Sequence, residues 1–199
     1  MRVIAGSCRG RRLVSPHTDD IRPTADKVKK YIFDYLGDVV SDAIVLDLFS
    51  GTGNLAIEAL SRGARFAILV DISRSSIALI HRNLKLTNLV DKCRVIRQDS
   101  LRYLRKSIRK GDEFDLIFAD PPYAEKSYHE IITFIDRDKL LRNGGFFIFE
   151  HSARSTIEFN PTFLSLVQTR KFGDTAVSIY QKKGQSSCES EYIQGLSIP

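Results

Sequence analysis

The sequence predicts an α/β fold in which a mostly parallel sheet is covered by helices on both faces. Three observations carry this: short apolar runs recur along the chain, stretches of helical spacing separate them, and the first run ends in a glycine-rich turn that enters a helix. The runs fall at 44–49, 66–70, 94–96, 116–119 and 146–149. Between them, Ile77, Ile80 and Leu84 stand at i, i+3 and i+7, and Leu101, Leu104 and Ile108 repeat that spacing. Ahead of the first run, Thr24 is placed to cap a helix with Val28, Ile32, Tyr35 and Leu36 on one face. After the fifth run, residues 163–168 and 176–181 form two strands joined through Phe172-Gly173-Asp174. So short a link requires antiparallel pairing.

A chain of 199 residues suffices for one domain with its own core, without disulfides or a structural metal. No apolar run approaches the roughly 18 residues that span a bilayer. The opening Met1-Arg2-Val3-Ile4-Ala5-Gly6 lacks the apolar core and cleavage site of a secretory leader, so a cytoplasmic location is expected. Cys8, Cys93 and Cys188 are isolated from one another, which predicts reduced thiols and no metal centre. Residues 1–22 are expected to form a basic N-terminal arm, 23–183 the catalytic domain, and 184–199 a flexible polar tail. The net charge is +6, and the first thirty residues hold eight basic side chains against three acidic ones. Such a field attracts polyphosphate backbones, and Arg2, Arg9, Arg11, Arg12 and Arg22 are its candidate phosphate ligands.

The run Asp47-Leu48-Phe49-Ser50-Gly51-Thr52-Gly53 leaves the first strand and enters a helix. Its glycines permit a tight turn and close approach to a ligand, as in nucleotide-binding loops. Asp71, at the end of the second strand, can accept hydrogen bonds from a ribose diol. Asp47 discriminates between cofactors. A carboxylate there would repel the pyrophosphate of a dinucleotide but attract the sulfonium and ammonium of S-adenosylmethionine. Asp47, Phe49, Ser50, Gly51, Gly53 and Asp71 are therefore candidate S-adenosylmethionine residues. Asp99, after the third strand, can reach an adenine amino group or cap the helix that follows it.

Asp120-Pro121-Pro122-Tyr123 follows the fourth strand, where an open parallel sheet presents its ligand crevice. An exocyclic amine of a nucleobase is a poor nucleophile because its lone pair is delocalised into the ring. Asp120 and the Pro121 carbonyl can each accept one of its N–H bonds, which favours a pyramidal nitrogen. Pro121 and Pro122 stiffen the loop. Tyr123 offers an aromatic face to a base taken out of its stack. No metal is required, and no cysteine stands where methyl transfer to a pyrimidine carbon would need one.

At these residues the chain resembles the RsmD-type bacterial methyltransferases that modify a guanine N2 in 16S ribosomal RNA. The resemblance runs from Met1 to about residue 183. It includes Arg9-Gly10-Arg11-Arg12, Ile21-Arg22-Pro23-Thr24 with Asp26, the 47–53 loop, Glu58-Ala59-Leu60-Ser61-Arg62-Gly63-Ala64, Asn83, the segment 114–123, Phe149-Glu150-His151 and Phe172-Gly173-Asp174-Thr175. Family members often carry Glu at the position of Asp71, and the segment after Gly184 has no counterpart. The resemblance implies the Rossmann-like, doubly wound seven-stranded sheet of a class I methyltransferase, with the last two strands as an antiparallel hairpin. It also implies an enzyme that acts on 16S rRNA within a partly or fully assembled small subunit; a monomer is expected. Three other activities share parts of the pattern. A DNA adenine-N6 methyltransferase uses the same tetrapeptide but adds a target-recognition region. A protein-glutamine methyltransferase carries Asn in place of Asp120. A non-catalytic nucleic-acid-binding module would not need the intact tetrapeptide.

Overall fold

Seven strands form one sheet in the order β3-β2-β1-β4-β5-β7-β6. They are seen in a computed structural model that describes residues 1–15, 23–122, 125–137, 139–155 and 161–184. Strands β1 (Ile44–Leu48), β2 (Phe66–Asp71), β3 (Cys93–Arg97), β4 (Phe114–Ala119) and β5 (Leu141–Ser152) are mutually parallel. β7 (Thr175–Lys182) runs antiparallel to β5, and β6 (Leu164–Phe172) antiparallel to β7. The strand order reverses between β1 and β4, and ligands of open α/β sheets bind outside the carboxyl ends at such a point.

Two apolar layers fix the helices. Val45, Leu69, Phe118 and Ile148 face α1 (Pro23–Leu36), α2 (Asn54–Ser61) and α3 (Arg74–Thr87), which contribute Ile32, Phe33, Ile57, Leu60 and Ile80. Leu46, Val70, Ile117 and Phe147 face α4 (Ser100–Lys110) and α5 (Glu125–Arg137), which contribute Leu104, Ile131, Ile132 and Ile135. The expected helices are all present. α1 begins at Pro23, so Thr24 lies within its first turn rather than ahead of it. β5 runs well past the apolar core of its sequence signal, because its second half pairs with β7 from Phe146 to Ser152.

The first fifteen residues do not form a separate arm. They fold into a hairpin closed by Val3 N–H to Arg11 O, Gly10 N–H to Val3 O and an Arg2–Arg12 bridge, with Val3, Cys8 and Leu13 inserted into the α1–α3 core. Val3, Cys8 and Leu13 turn inward while Arg2, Arg9, Arg11 and Arg12 stay exposed. Residues 16–22, and all of the expected tail beyond Gly184, lie outside the described residues. None of the described helices is long and apolar enough to cross a membrane.

Glu58 of α2 holds this hairpin in place. Its fully buried carboxylate accepts the N–H groups of Ile4 (2.8 Å) and Ala5 (3.0 Å), accepts Arg62 Nε (2.9 Å), and faces Lys29 Nζ at 3.3 Å. Lys29 also donates to Arg2 O at 2.5 Å and to Asn54 Oδ1 at 2.7 Å. Burial lowers the Lys29 pKa, and Glu58 opposes that shift. Removing one member of a buried pair strands the other charge. Glu58→Ala should therefore cost about 3–5 kcal/mol in urea denaturation. Lys30→Ala, which breaks an exposed pair with Asp34, should cost less than about 1 kcal/mol. Comparable losses in the two variants would show that Glu58 does not organise the fold.

Candidate active site at the strand ends

Register brings distant carboxyl groups together. Leu48 pairs with both Val70 and Ala119, and Ala119 pairs with Phe149. The next residues, Asp71, Phe49, Asp120 and Glu150, therefore form one row across the carboxyl ends of β2, β1, β4 and β5. Alternation gives the carboxyls a common side. Leu46, Leu48, Val70, Ala119 and Phe149 all belong to the α4–α5 layer, so Asp47, Asp71, Asp120 and Glu150 are directed to the opposite face.

These carboxyls lie close enough to repel one another. Burial pushes the Asp47 carboxyl up to about 7, and the negative charges of Asp120 and Asp71 add to that shift. Asp120 opens to solvent on the crevice side, but protein encloses its carboxyl elsewhere and raises it to about 6. Glu150 is raised to about 8, first by burial and then by Asp120. No hydrogen bond or ion pair reaches the side-chain carboxyl of Asp120 or Glu150 among the described residues. Carboxyl groups gathered where the strand order reverses form a site for a cation or a hydrogen-bond donor.

The glycine loop is held in an unusual conformation. Phe49 takes a left-handed φ of 56°, which ends β1 one residue earlier than its apolar pattern suggests. Ser50 N–H donates to Val70 O at 3.1 Å and its hydroxyl to Asp47 O at 2.6 Å. Gly53 has a φ of 76°, and a Cβ there would stand 3.0 Å from Leu69 Cδ2. Asp47 Oδ2 accepts Ala56 N–H at 3.2 Å, so its carboxylate also faces the N-terminal turn of α2. Asn83, wholly buried, ties the loop to the hairpin by donating to Thr52 O and Val14 O and accepting Val14 N–H.

Asp71 accepts Gly51 N–H and Ser73 N–H, each at 2.8 Å and each on a different oxygen. It therefore braces the loop as well as lining it, and every oxygen keeps a second acceptor site for a ligand. Asp99 caps α4 by accepting Arg102 N–H at 2.9 Å. Pro121 is buried and Pro122 exposed, while Tyr123 and Arg22 lie outside the described residues. Exposed Arg2 and Arg9 border a space of about 380 Å³ with Lys27 and Lys30. Arg11 donates to Leu86 O at 2.6 Å. The structure brings Asp47, Asp71 and Asp120 together and leaves the hairpin arginines on a separate surface. Glu150 carried no local signal beyond its place beside His151. Exposed Ile72, following Asp71, adds an apolar wall. His151 is structural: it is buried against Ser178 Oγ and Ser152 O, both at 2.9 Å, and burial lowers its pKa.

A family model described as "Conserved hypothetical protein 95" matches residues 1–181. The Bacillus subtilis (strain 168) protein YlbH, provisionally named an rRNA methyltransferase, is 41% identical over 92% of this chain and 100% of its own length. The ribosomal RNA small subunit methyltransferase D of Escherichia coli (strain K12) is 30% identical over 96% of this chain and 94% of its own. The solved structure of the Escherichia coli protein yhhF, provisionally named a methyltransferase, superposes with a TM-score of 0.82 at 31% identity, covering 93% of this chain and 99% of that one.

The raised Asp47 pKa makes stability depend on pH. The folded-state value of about 7 exceeds the ordinary 3.8, so the folded protein binds more protons than the unfolded chain between those limits. Stability must fall as pH rises through that window and level off above it, by up to about 4 kcal/mol. Asp47→Asn keeps an acceptor for Ala56 N–H and removes the charge. The difference in unfolding free energy between this variant and the parent should grow in favour of the variant from pH 5 to pH 8. A difference that stays flat with pH would mean Asp47 is not held at a cost.

Proposed function

This chain belongs to the conserved hypothetical protein 95 family, and from that premise we propose that it is an S-adenosylmethionine-dependent methyltransferase that modifies the exocyclic N2 amine of a guanine in 16S ribosomal RNA. The observation that carries the proposal is the row of carboxyls beside the glycine loop. Its buried Asp47 is raised to about 7, and the positive charge of a sulfonium and ammonium ligand would favour its ionised form. The residues fit the cofactor: Asp47, Phe49, Ser50, Gly51 and Gly53 would surround its methionine part, Asp71 its ribose, and Asp99 with Ile72 its adenine. When bound, it supplies a methyl carbon made electrophilic by the cationic sulfur.

The chain's own groups then act on the amine. Asp120 and the Pro121 carbonyl accept its two N–H bonds, holding the nitrogen lone pair toward the methyl. As the N–C bond would form and the sulfur–methyl bond break, with its electron pair left on sulfur as a neutral thioether, the nitrogen would gain positive charge and have to lose one proton. Asp120, raised to about 6, is ionised at neutral pH and well matched to take it. Pro121 and Pro122 keep these acceptors in place, and Tyr123 gives the unstacked base a surface. Arg2, Arg9, Arg11, Arg12 and Arg22 would meet RNA phosphates outside the crevice. The relatives named for small-subunit rRNA support the RNA partner, a ribosomal substrate implies a cytoplasmic enzyme, and a monomer needs no further element.

The test is incubation with methyl-labelled cofactor and small subunits lacking the modification, followed by nucleoside analysis. Labelled N2-methylguanosine is expected; label in another nucleoside overturns the assignment. Asp120→Ala should lower turnover at least about 100-fold with cofactor affinity within a few-fold of the parent. Asp47→Ala should show the affinity loss instead. At Tyr123, Phe should keep activity within a few-fold, whereas Ala should lower the specificity constant roughly 5- to 150-fold.

A further inference from the structure

We propose that Glu150 reads the ring of the target base, engaging the N1–H and O6 of a guanine whose N2 amine is held at Asp120. This rests on the guanine assignment above and deepens it. Asp120, the residue after β4, and Glu150 of β5 each follow the Ala119–Phe149 pair, and they are near enough for the charge of Asp120 to act on Glu150. Both are directed to the face that carries Asp47 and Asp71, because Ala119, Phe149 and His151 pack on the other side. Along the row, Asp71 and the glycine loop lie to one side of Asp120 and Glu150 to the other. A group bound between Asp71 and Asp120 therefore leaves Glu150 on the side where the ring of the target base must enter.

The chemistry of the purine edge completes the assignment. Enzymes that act on unstacked bases recognise them through the Watson–Crick edge. In guanine the group next to the N2 amine is the N1–H donor, followed by the O6 acceptor. An uncharged carboxyl offers the matching pair, a carbonyl oxygen to accept N1–H and a hydroxyl to donate to O6. Glu150, raised to about 8 with Asp120 as its charged neighbour, holds its proton at neutral pH. Its pairing neighbour on β7 is the apolar Val177, and no cation among the described residues reaches it to draw that proton away. When an adenine amine occupies Asp120, the next ring atom is an acceptor and the one beyond it bears only C–H, so half of the match is lost.

The test uses small subunits reconstituted with ligated 16S RNA that carries either guanine or 2-aminopurine at the modified position. 2-Aminopurine keeps the reacting amine and lacks both N1–H and O6. Specificity constants for the two bases are compared in the parent, Glu150→Ala and Glu150→Gln, with Glu150→Val as a second truncation should Ala fail to fold. The truncated variant should lose at least about tenfold of the parent's preference for guanine. Gln, which retains one acceptor and one donor, should keep the preference within about threefold. A merely structural role would lower activity on both bases alike and leave their ratio unchanged. That unchanged ratio overturns the proposal, as does a Gln variant as indiscriminate as the truncation. Failure of the underlying guanine assignment is separately visible, since the parent enzyme would then form no N2-methylguanosine on the guanine-bearing subunit.

Discussion

The register of four parallel strands governs the rest of this molecule. Side chains alternate along each strand, and Leu48, Val70, Ala119 and Phe149 are aligned across β1, β2, β4 and β5. Apolar packing of that aligned row against α4 and α5 forces the following residues to the opposite face. A slip of one residue in any strand would bury a carboxyl among apolar side chains and withdraw it from the crevice. The hydrophobic core therefore does more than stabilise the fold: it sets the spacing of the charges at its edge.

The crevice works against stability. Asp47, Asp120 and Glu150 all have raised pKa values because burial strips solvent from their carboxyls, and no cationic partner stands beside them among the described residues. The fold tolerates them through compensation nearby. Backbone N–H groups of Gly51, Ser73 and Ala56 point at Asp71 and Asp47, and the left-handed Phe49 and Gly53 let the loop present those groups. Such an arrangement is preorganised: the polar groups that would meet a cationic ligand are fixed by the protein's own hydrogen bonds.

A second set of contacts joins the basic surface to the crevice. Glu58 and Lys29 bind the hairpin to α1 and α2, Lys29 reaches Asn54 at the end of the glycine loop, and Asn83 links Val14 to Thr52. The segment with the exposed arginines is thus packed onto the same elements that hold the loop. A charged strand pair with so little apolar area could not fold alone. It gains order from Val3, Cys8 and Leu13 and from the buried Glu58 carboxylate.

The sequence by itself determined the order of strands and helices, the glycine loop, and the roles open to Asp47, Asp71 and Asp120. Each of these is written in neighbouring residues: a run of apolar side chains, two glycines after a strand, a carboxylate beside two prolines. The pairing of β6 with β7 was legible for the same reason, since the short link at Gly173-Asp174 leaves one geometry. Glu150 was not legible, because a single Glu at the end of an apolar strand differs from a surface residue only once its register with Asp120 is known. Asp99 left a choice between capping and ligand contact; its Oδ1 caps α4, which leaves the other oxygen open to a ligand. The opening segment read as a basic arm because it is too short and too charged for a core of its own, while the partners that hold it, Glu58, Ser61 and Asn83, lie more than fifty residues away. Local patterns follow from backbone geometry within a few residues. The second set of placements depends on contacts between segments distant in sequence, and only the packed tertiary structure selects among them.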